Sequence, residues 1–411
     1  MSDQTAAGAA GAVRGPLGGV RILDLTSVVL GPLATQILGD YGADVVKIES
    51  LEGDLTRTTG VSLHPGMCSV FLAINRNKRS IALDLKTAEG KEVLRRLIAG
   101  ADVLVHNMRV AAIEKLGFGY RAAAELRPDI VYCAATGFGQ DCPDRDKPAF
   151  DDIIQAACGL VGLNSLGREQ PEYAPSLIAD KTTGMALVNA VLAALYYRER
   201  SGRGQYVEVP MFETMVAYML SEHLGGLTFD PAPAKAGYAR LLGGGRRPAP
   251  TRDGYIAILP YTGDHWYAFF DALGRADLAE KYGRCDRQSR NAQLVEMYSD
   301  MAEATRQRTT SEWMDVCAAL DIPATPIYAI DDLPEHPQLK AVGLFGRAEH
   351  LSEGPIRYGK PPTRFAASPA SVRSTAPLLG QHTREILGEA GYAEQEIADL
   401  LARRVVSQSA L

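Results

Sequence analysis

The stretches Val20-Arg-Ile-Leu-Asp-Leu25 and Asp44-Val-Val-Lys-Ile-Glu49 are short, rich in Val, Ile and Leu, and too brief for buried helices. The same texture returns at Ser80–Leu85, Asp102–Asn107 and Asp129–Ala134, with helix-period segments between. Lys91–Ala99 puts Val93, Leu94, Leu97 and Ile98 on one face and Arg95 and Arg96 on another, with Thr87 placed to cap it. Strand, helix, strand at this spacing predicts parallel pairing through right-handed crossovers, hence an α/β sheet with helices on both faces.

Working outward, Thr182–Arg200 is the longest helical pattern. It stops at Ser201-Gly-Arg-Gly204 before the strand-like Tyr206–Val209. Pro and Gly crowd Phe229–Gly254, and a new unit opens with Tyr255–Leu259 and the helical Trp266–Leu273. Ala329–Pro337 reads as a return loop, and the tail closes with a helix-like Ile397–Val406. The expected organisation is a flexible arm at 1–16, a large domain at 17–226 and 330–411, and a small domain at 227–329.

Among 411 residues, 46% hydrophobic and 22% charged exclude wholesale disorder. Forty-three basic against 49 acidic residues, net −6, argue against a nucleic-acid surface. The longest apolar run, within Met185–Tyr197, falls short of the ~20 residues of a membrane span, so no membrane partner is expected. Met1–Gly15 has no apolar stretch of the signal-peptide kind. The six cysteines (68, 133, 142, 158, 285, 317) contain no CxxC pair, which predicts reduced thiols and a cytoplasmic setting.

The first strand is followed by Thr26-Ser-Val-Val-Leu-Gly31-Pro32 rather than GxGxxG, and no GxxxxGK[ST] occurs, so nicotinamide and ATP roles lose their support. The seven histidines show neither HxxxH nor HExxH, and no metal is expected; GxSxG is also absent. Three features remain. Asn75-Arg-Asn-Lys-Arg79 reads either as a solvated charge cluster or as a phosphate clamp. Asp180 follows the apolar Leu177–Ala179 and opens the long helix, either as a cap or as a carboxylate held ionised by the helix N-terminus and placed to attack. Gly243-Gly-Gly245, followed by Arg246 and Arg247, is either a linker or a backbone approach to an oxyanion.

In this order, and with their flanks, these features resemble the class III coenzyme A transferases, the family of formyl-CoA transferase, carnitine CoA-transferase and α-methylacyl-CoA racemase. The resemblance runs from Leu17 to about Val406. It rests on Val20–Leu25, Gly31-Pro32, Leu38-Gly-Asp40, Gly42–Glu49, Asn77–Lys86, Thr136-Gly-Phe-Gly-Gln140, Asp180-Lys-Thr-Thr-Gly184, Ser201-Gly-Arg-Gly-Gln205 and Pro377–Thr383. It implies a Rossmann-like large domain with a parallel sheet, interrupted by a smaller α+β domain, in an interlocked homodimer. Asp180 then corresponds to the nucleophile, which passes through a mixed anhydride and an aspartyl-CoA thioester. Gly243, Gly244 and Gly245 resemble the mobile loop over that aspartate. CoA-contacting positions carry over to Leu83, Lys86, Asn107, Met108, Lys115, Phe150 and Asp151, with Arg79 and Arg109 as further phosphate partners. No cofactor is held permanently; CoA and acyl-CoA are substrates, and the other partner is a carboxylic acid.

Departures choose among activities. Family racemases use a histidine at the position of Phe150, and phenylalanine carries no proton, which weakens two-base racemisation. Val29 stands where formyl-CoA transferase has glutamine, which argues against oxalate and formate. Lys115 replaces a frequent arginine, and Cys142 a usual glycine with no physical account. The expected activity is CoA transfer between carboxylic acids, with succinyl-CoA as donor and a dicarboxylate as acceptor. Arg240, Arg246 and Arg247 are available to the second carboxylate, though solvation explains them equally well. The alternatives are an acyl-CoA racemase, a non-catalytic CoA-binding dimer, and a thioesterase for which nothing positions a water.

Overall fold

The computed structural model describes residues 15–243 and 245–409; residues 1–14 of the expected arm and Gly244 lie outside them. The chain forms two compact units, one of residues 15–161, 173–218 and 340–409, the other of 162–172 and 219–339.

In the first unit, β1 (Arg21–Leu25), β2 (Asp44–Glu49), β3 (Lys78–Leu83), β4 (Val103–His106), β5 (Val131–Thr136) and β6 (Gln205–Pro210) form a parallel sheet ordered β3-β2-β1-β4-β5-β6. Successive strand residues face opposite sides, and the core divides accordingly. Leu23, Val46, Leu104 and Tyr132 pack on one face, whereas Ile22, Val45, Val103 and Val131 pack on the other. Burial on both faces is why these strands read as nearly continuous apolar runs.

Two helix expectations need correction. The final helix spans Glu394–Ala402, and Arg404 adopts φ 53°, which ends it. The next residues form Val406–Ser407, an edge strand pairing antiparallel with β3, Val406 opposite Leu83. The long helix begins earlier than predicted and spans Ile178–Ser201. By length and composition it is apolar enough to cross a bilayer, but Ala179, Thr183, Leu187, Val191 and Ala194 are buried within the unit. Gly184 is needed there, since an added Cβ would lie 2.8 Å from the Leu30 carbonyl oxygen on the helix Leu30–Asp40.

The basic run at 75–79 is neither a phosphate clamp nor a solvated cluster. Arg76 grips Asp40 with both Nε and Nη2 (3.0 and 2.6 Å), and Asn77 donates to the same carboxylate at 2.7 Å. Lys78 donates to Asp24 at 2.9 Å, and Lys47 to Asp54 at 2.9 Å, all four side chains being essentially inaccessible. Thr35 also donates to Asp24, at 2.6 Å. Arg79 pairs with Asp44, Glu385 and Glu389 at the N-terminal end of β3. Charge here fastens the sheet to its flanking segments.

In the second unit, Ala249–Pro250, Tyr255–Ile258 and Ala324–Pro326 make a small antiparallel sheet. Helices Gly263–Asp271, Leu294–Thr305 and Thr310–Ala319 enclose Trp266, Phe269, Phe270, Met297, Met301 and Trp313. Thr309 and Glu312 form a capping box on the last of these helices.

Candidate active site

Strand order reverses between β1 and β4, and ligands of such sheets bind beyond the strand C-termini at that switch point. A cavity of about 270 Å³ lies there. It is bounded by Ser27–Leu30 after β1, Asn107–Arg109 after β4, Thr136-Gly137 at the end of β5, Phe150, and Asp180. A second cavity of about 450 Å³, lined by Lys47, Gly53, Leu83, Lys86 and Leu116, shares Ser27, Leu55 and Met108 with the first.

The loop after β1 is tightly held. Ser27 N–H donates to Asn107 Oδ1 (3.0 Å), and Asn107 Nδ2 donates back to the Ser27 carbonyl (2.8 Å). Val28 sits at φ 70°, an unfavourable region for a β-branched residue, and its N–H donates to Asp54 Oδ1 at 3.2 Å. That strain places Val28 and Val29 against the cavity.

Asp180 occupies the first turn of the long helix, and its side chain makes no hydrogen bond or ion pair among the described residues. Burial pushes its carboxyl up to about 7, with a further contribution from the charge of Asp151. The expectation that the helix N-terminus would hold it ionised is therefore corrected: desolvation wins. Asp151 is itself buried and accepts the Asp180 backbone N–H at 2.9 Å. Gln155 donates to Asp151 Oδ2 (2.5 Å) and accepts from Ala174 N–H (3.0 Å), tying the segment before the long helix to the helix Asp151–Ala157. Two carboxylates share one poorly solvated corner, and the one facing the cavity is the unpartnered one.

Asp151→Asn removes the like charge while keeping an oxygen for the Asp180 N–H. The Asp180 carboxyl should then titrate on the order of one pH unit lower in a carbon-13 NMR titration. An unchanged midpoint would show that burial alone raises it.

The structure thus brings Asn107, Met108, Arg109 and Phe150 to the Asp180 cavity, and Leu83, Lys86 and Met108 to the adjoining one. Lys115 is exposed on the last turn of Val110–Leu116, next to the lining Leu116. Asp151 sits behind Asp180 instead of facing either cavity. Arg79 is not with them: it lies at the opposite end of the sheet, its guanidinium occupied by three carboxylates. Gly243 and Gly245 belong to the second unit, and Gly244 lies outside the described residues.

Sequence reasoning missed Thr136, whose buried hydroxyl, in the lining of the Asp180 cavity, has no partner among the described residues. It also missed the buried Lys47–Asp54 pair at the adjoining cavity. The available signal for the latter was a lysine inside the apolar run Val45-Val-Lys-Ile48.

Comparison with known proteins identifies the family. Residues 17–383 match the family described as CoA-transferase family III. The chain is 31% identical to the succinate–glutarate CoA-transferase of Agrobacterium fabrum over 382 residues, 91% of this chain and 95% of that protein. It is 30% identical to the succinyl-CoA:glutarate CoA-transferase of Homo sapiens over 395 residues, 96% and 90% of the two chains. Among solved structures, a mutant of Rv3272 from Mycobacterium tuberculosis superposes with a TM-score of 0.81 at 29% identity, covering 92% of this chain and 99% of that one. The resemblance read from the motifs holds: the chain belongs to CoA-transferase family III and is a CoA-transferase enzyme.

Proposed function

We propose that the enzyme moves CoA from succinyl-CoA to a short dicarboxylic acid, with Asp180 as the covalent nucleophile. The observation that carries this reading is a cavity-facing Asp180 carboxylate with no partner among the described residues and an elevated pKa, at the sheet's switch point. A desolvated carboxylate is a stronger nucleophile than a hydrated one, and at neutral pH about half of a group with pKa near 7 is ionised. The names of the two relatives, which concern succinate and glutarate, support the choice of acids.

In this scheme an Asp180 oxygen attacks the donor thioester carbonyl, the carbon–sulfur bond breaks, and CoA leaves as thiolate. The thiolate then attacks the Asp180 carbonyl carbon of the mixed anhydride, releasing the donor acid as carboxylate and leaving an aspartyl-CoA thioester. The acceptor carboxylate repeats the exchange: it expels the thiolate, which attacks the acceptor acyl carbon and frees Asp180. Thr136, with its unpartnered hydroxyl, is available to donate to an acyl oxygen. Leu83, Lys86, Met108 and the neighbouring Lys115 are the surface for CoA, with Asn107 fixing the loop that separates it from Asp180. Val29, buried and apolar against the cavity, suits a carbon chain better than oxalate or formate. The working form is a cytoplasmic, interlocked homodimer.

Mass spectrometry after incubation with a panel of acyl-CoA thioesters tests the scheme. A CoA-sized adduct should appear on the peptide carrying Asp180 with succinyl-CoA, and should vanish in Asp180→Ala. Solvent deuterium entering the acyl α-carbon with no adduct would replace transfer by racemisation.

A further inference from the structure

We infer that the second unit carries its own binding site for a short aliphatic carboxylate, in the cavity lined by Arg240, Arg246, Arg287, Asn291 and Tyr298. That cavity, about 240 Å³, is walled on one side by Gly243 and Gly245 and on another by Ala292, Leu294 and Val295. No aspartate or glutamate lines it.

Three arginines therefore line one space, Arg240 half-buried and Arg246 and Arg287 exposed, and none has an ion-pair partner among the described residues. Arginine does not shed its proton at any accessible pH, so the mutual repulsion is relieved only by solvent or by an anion. Two polar atoms point to a ligand: the Nε of Arg240 and the hydroxyl of Tyr298 are buried and have no hydrogen-bond partner among the described residues. Tyr298 is only 4% exposed, and its ring sits edge-on against Trp266 at 5.4 Å, which fixes the hydroxyl in place. Arg240 is likewise oriented, its guanidinium 5.0 Å above the Tyr261 ring. A water molecule would satisfy a hydroxyl but would offset no charge. A carboxylate accepts from guanidinium, carboxamide and phenol together and offsets part of the positive charge.

The apolar wall selects among anions. Leu294, Val295 and Ala292 offer contact to methylene carbons, which inorganic phosphate lacks. Identifying the ligand as an acceptor acid rests on the proposed transfer between carboxylic acids; the existence of an anion site does not.

The test uses the full chain carrying Asp180→Ala, so that no turnover occurs, titrated with glutarate and separately with inorganic phosphate at low and high salt. Glutarate should bind saturably, more weakly at high salt. Affinity should fall about tenfold in Arg287→Gln, the loss expected for one charge-assisted hydrogen bond. Tyr298→Phe should weaken binding several-fold, and phosphate should bind less well than glutarate. Arg246 and Arg287 are exposed, so their variants should fold, and thermal melts verify it. The site is overturned by an absence of saturable binding, or by affinity that Arg246→Gln and Arg287→Gln leave unchanged. Phosphate binding more tightly through the same arginines would overturn the carboxylate assignment. Glutarate binding as described, with no CoA transfer from succinyl-CoA to any short dicarboxylic acid by the unmodified enzyme, would instead sink the proposed function and leave this site standing.

Discussion

Asp180→Asn should abolish CoA transfer and at the same time make the protein more stable at alkaline pH. Asparagine keeps the shape but offers no nucleophilic carboxylate, and loss of a covalent nucleophile costs on the order of 10⁴-fold or more in kcat. The stability change follows from the raised carboxyl, 3.8 in the unfolded chain against about 7 in the folded one. Between those values the folded protein holds the proton and the unfolded chain does not. Stability is therefore fullest below pH 3.8, declines through the window, and is lowest above pH 7. Each unit of difference corresponds to about 1.4 kcal/mol, so the penalty removed by asparagine at pH 8 is roughly 4 kcal/mol at most. Thermal melts of both proteins at pH 5 and pH 8 check this. The gap between them should be present at pH 5 and markedly wider at pH 8, and parallel pH dependence in the two would remove the claim that Asp180 is strained by its surroundings. Sites built for chemistry commonly give up stability in this way.

A loss of comparable size is expected in the buried charge network under the first loop. Lys78→Met leaves the Asp24 carboxylate without the ammonium 2.9 Å away, in a place with no access to water. Burial opposes ionisation of Asp24, but Lys78, Lys47 and the hydroxyls of Thr26 and Thr35 outweigh it and hold the carboxyl well below its usual range. Burial pushes Lys78 down to about 8, with Asp24 opposing. Removing one partner of such a pair typically costs about 3–5 kcal/mol, whereas removing both is often far milder. Chemical denaturation of Lys78→Met, Asp24→Asn and the double variant should therefore show each single change as costly and the double change as less than their sum. Additive losses would mean that the two charges do not support each other.

Much of the first unit was legible in the sequence. Strands buried on both faces announce themselves as apolar runs, and β2 was expected with the bounds it has. Thr87 caps its helix as expected, accepting from Gly90 N–H at 3.0 Å. Asp180 stood out because a carboxylate closing an apolar run needs a reason. Less legible was everything that depends on which charges meet. Asn75–Arg79 looks the same on paper whether it faces solvent, phosphate or Asp24 and Asp40; pairing across 36 and 54 residues of chain separated these outcomes. The last strand was missed because Val405 and Val406 continue the helical pattern of the segment before them, and only the open edge of β3 pulls them into the sheet.

The α/β order of elements and the family were readable from the chain alone, and Asp180 stood out in it as a candidate, because these rest on local pattern and on side-chain chemistry. Folding settled that Asp151 stands behind Asp180, that burial raises the Asp180 carboxyl, that Arg79 is occupied elsewhere, and that three arginines without an ion-pair partner among the described residues line one cavity. Desolvation and Coulomb interaction depend on distances between residues far apart in the chain, and no local pattern carries them.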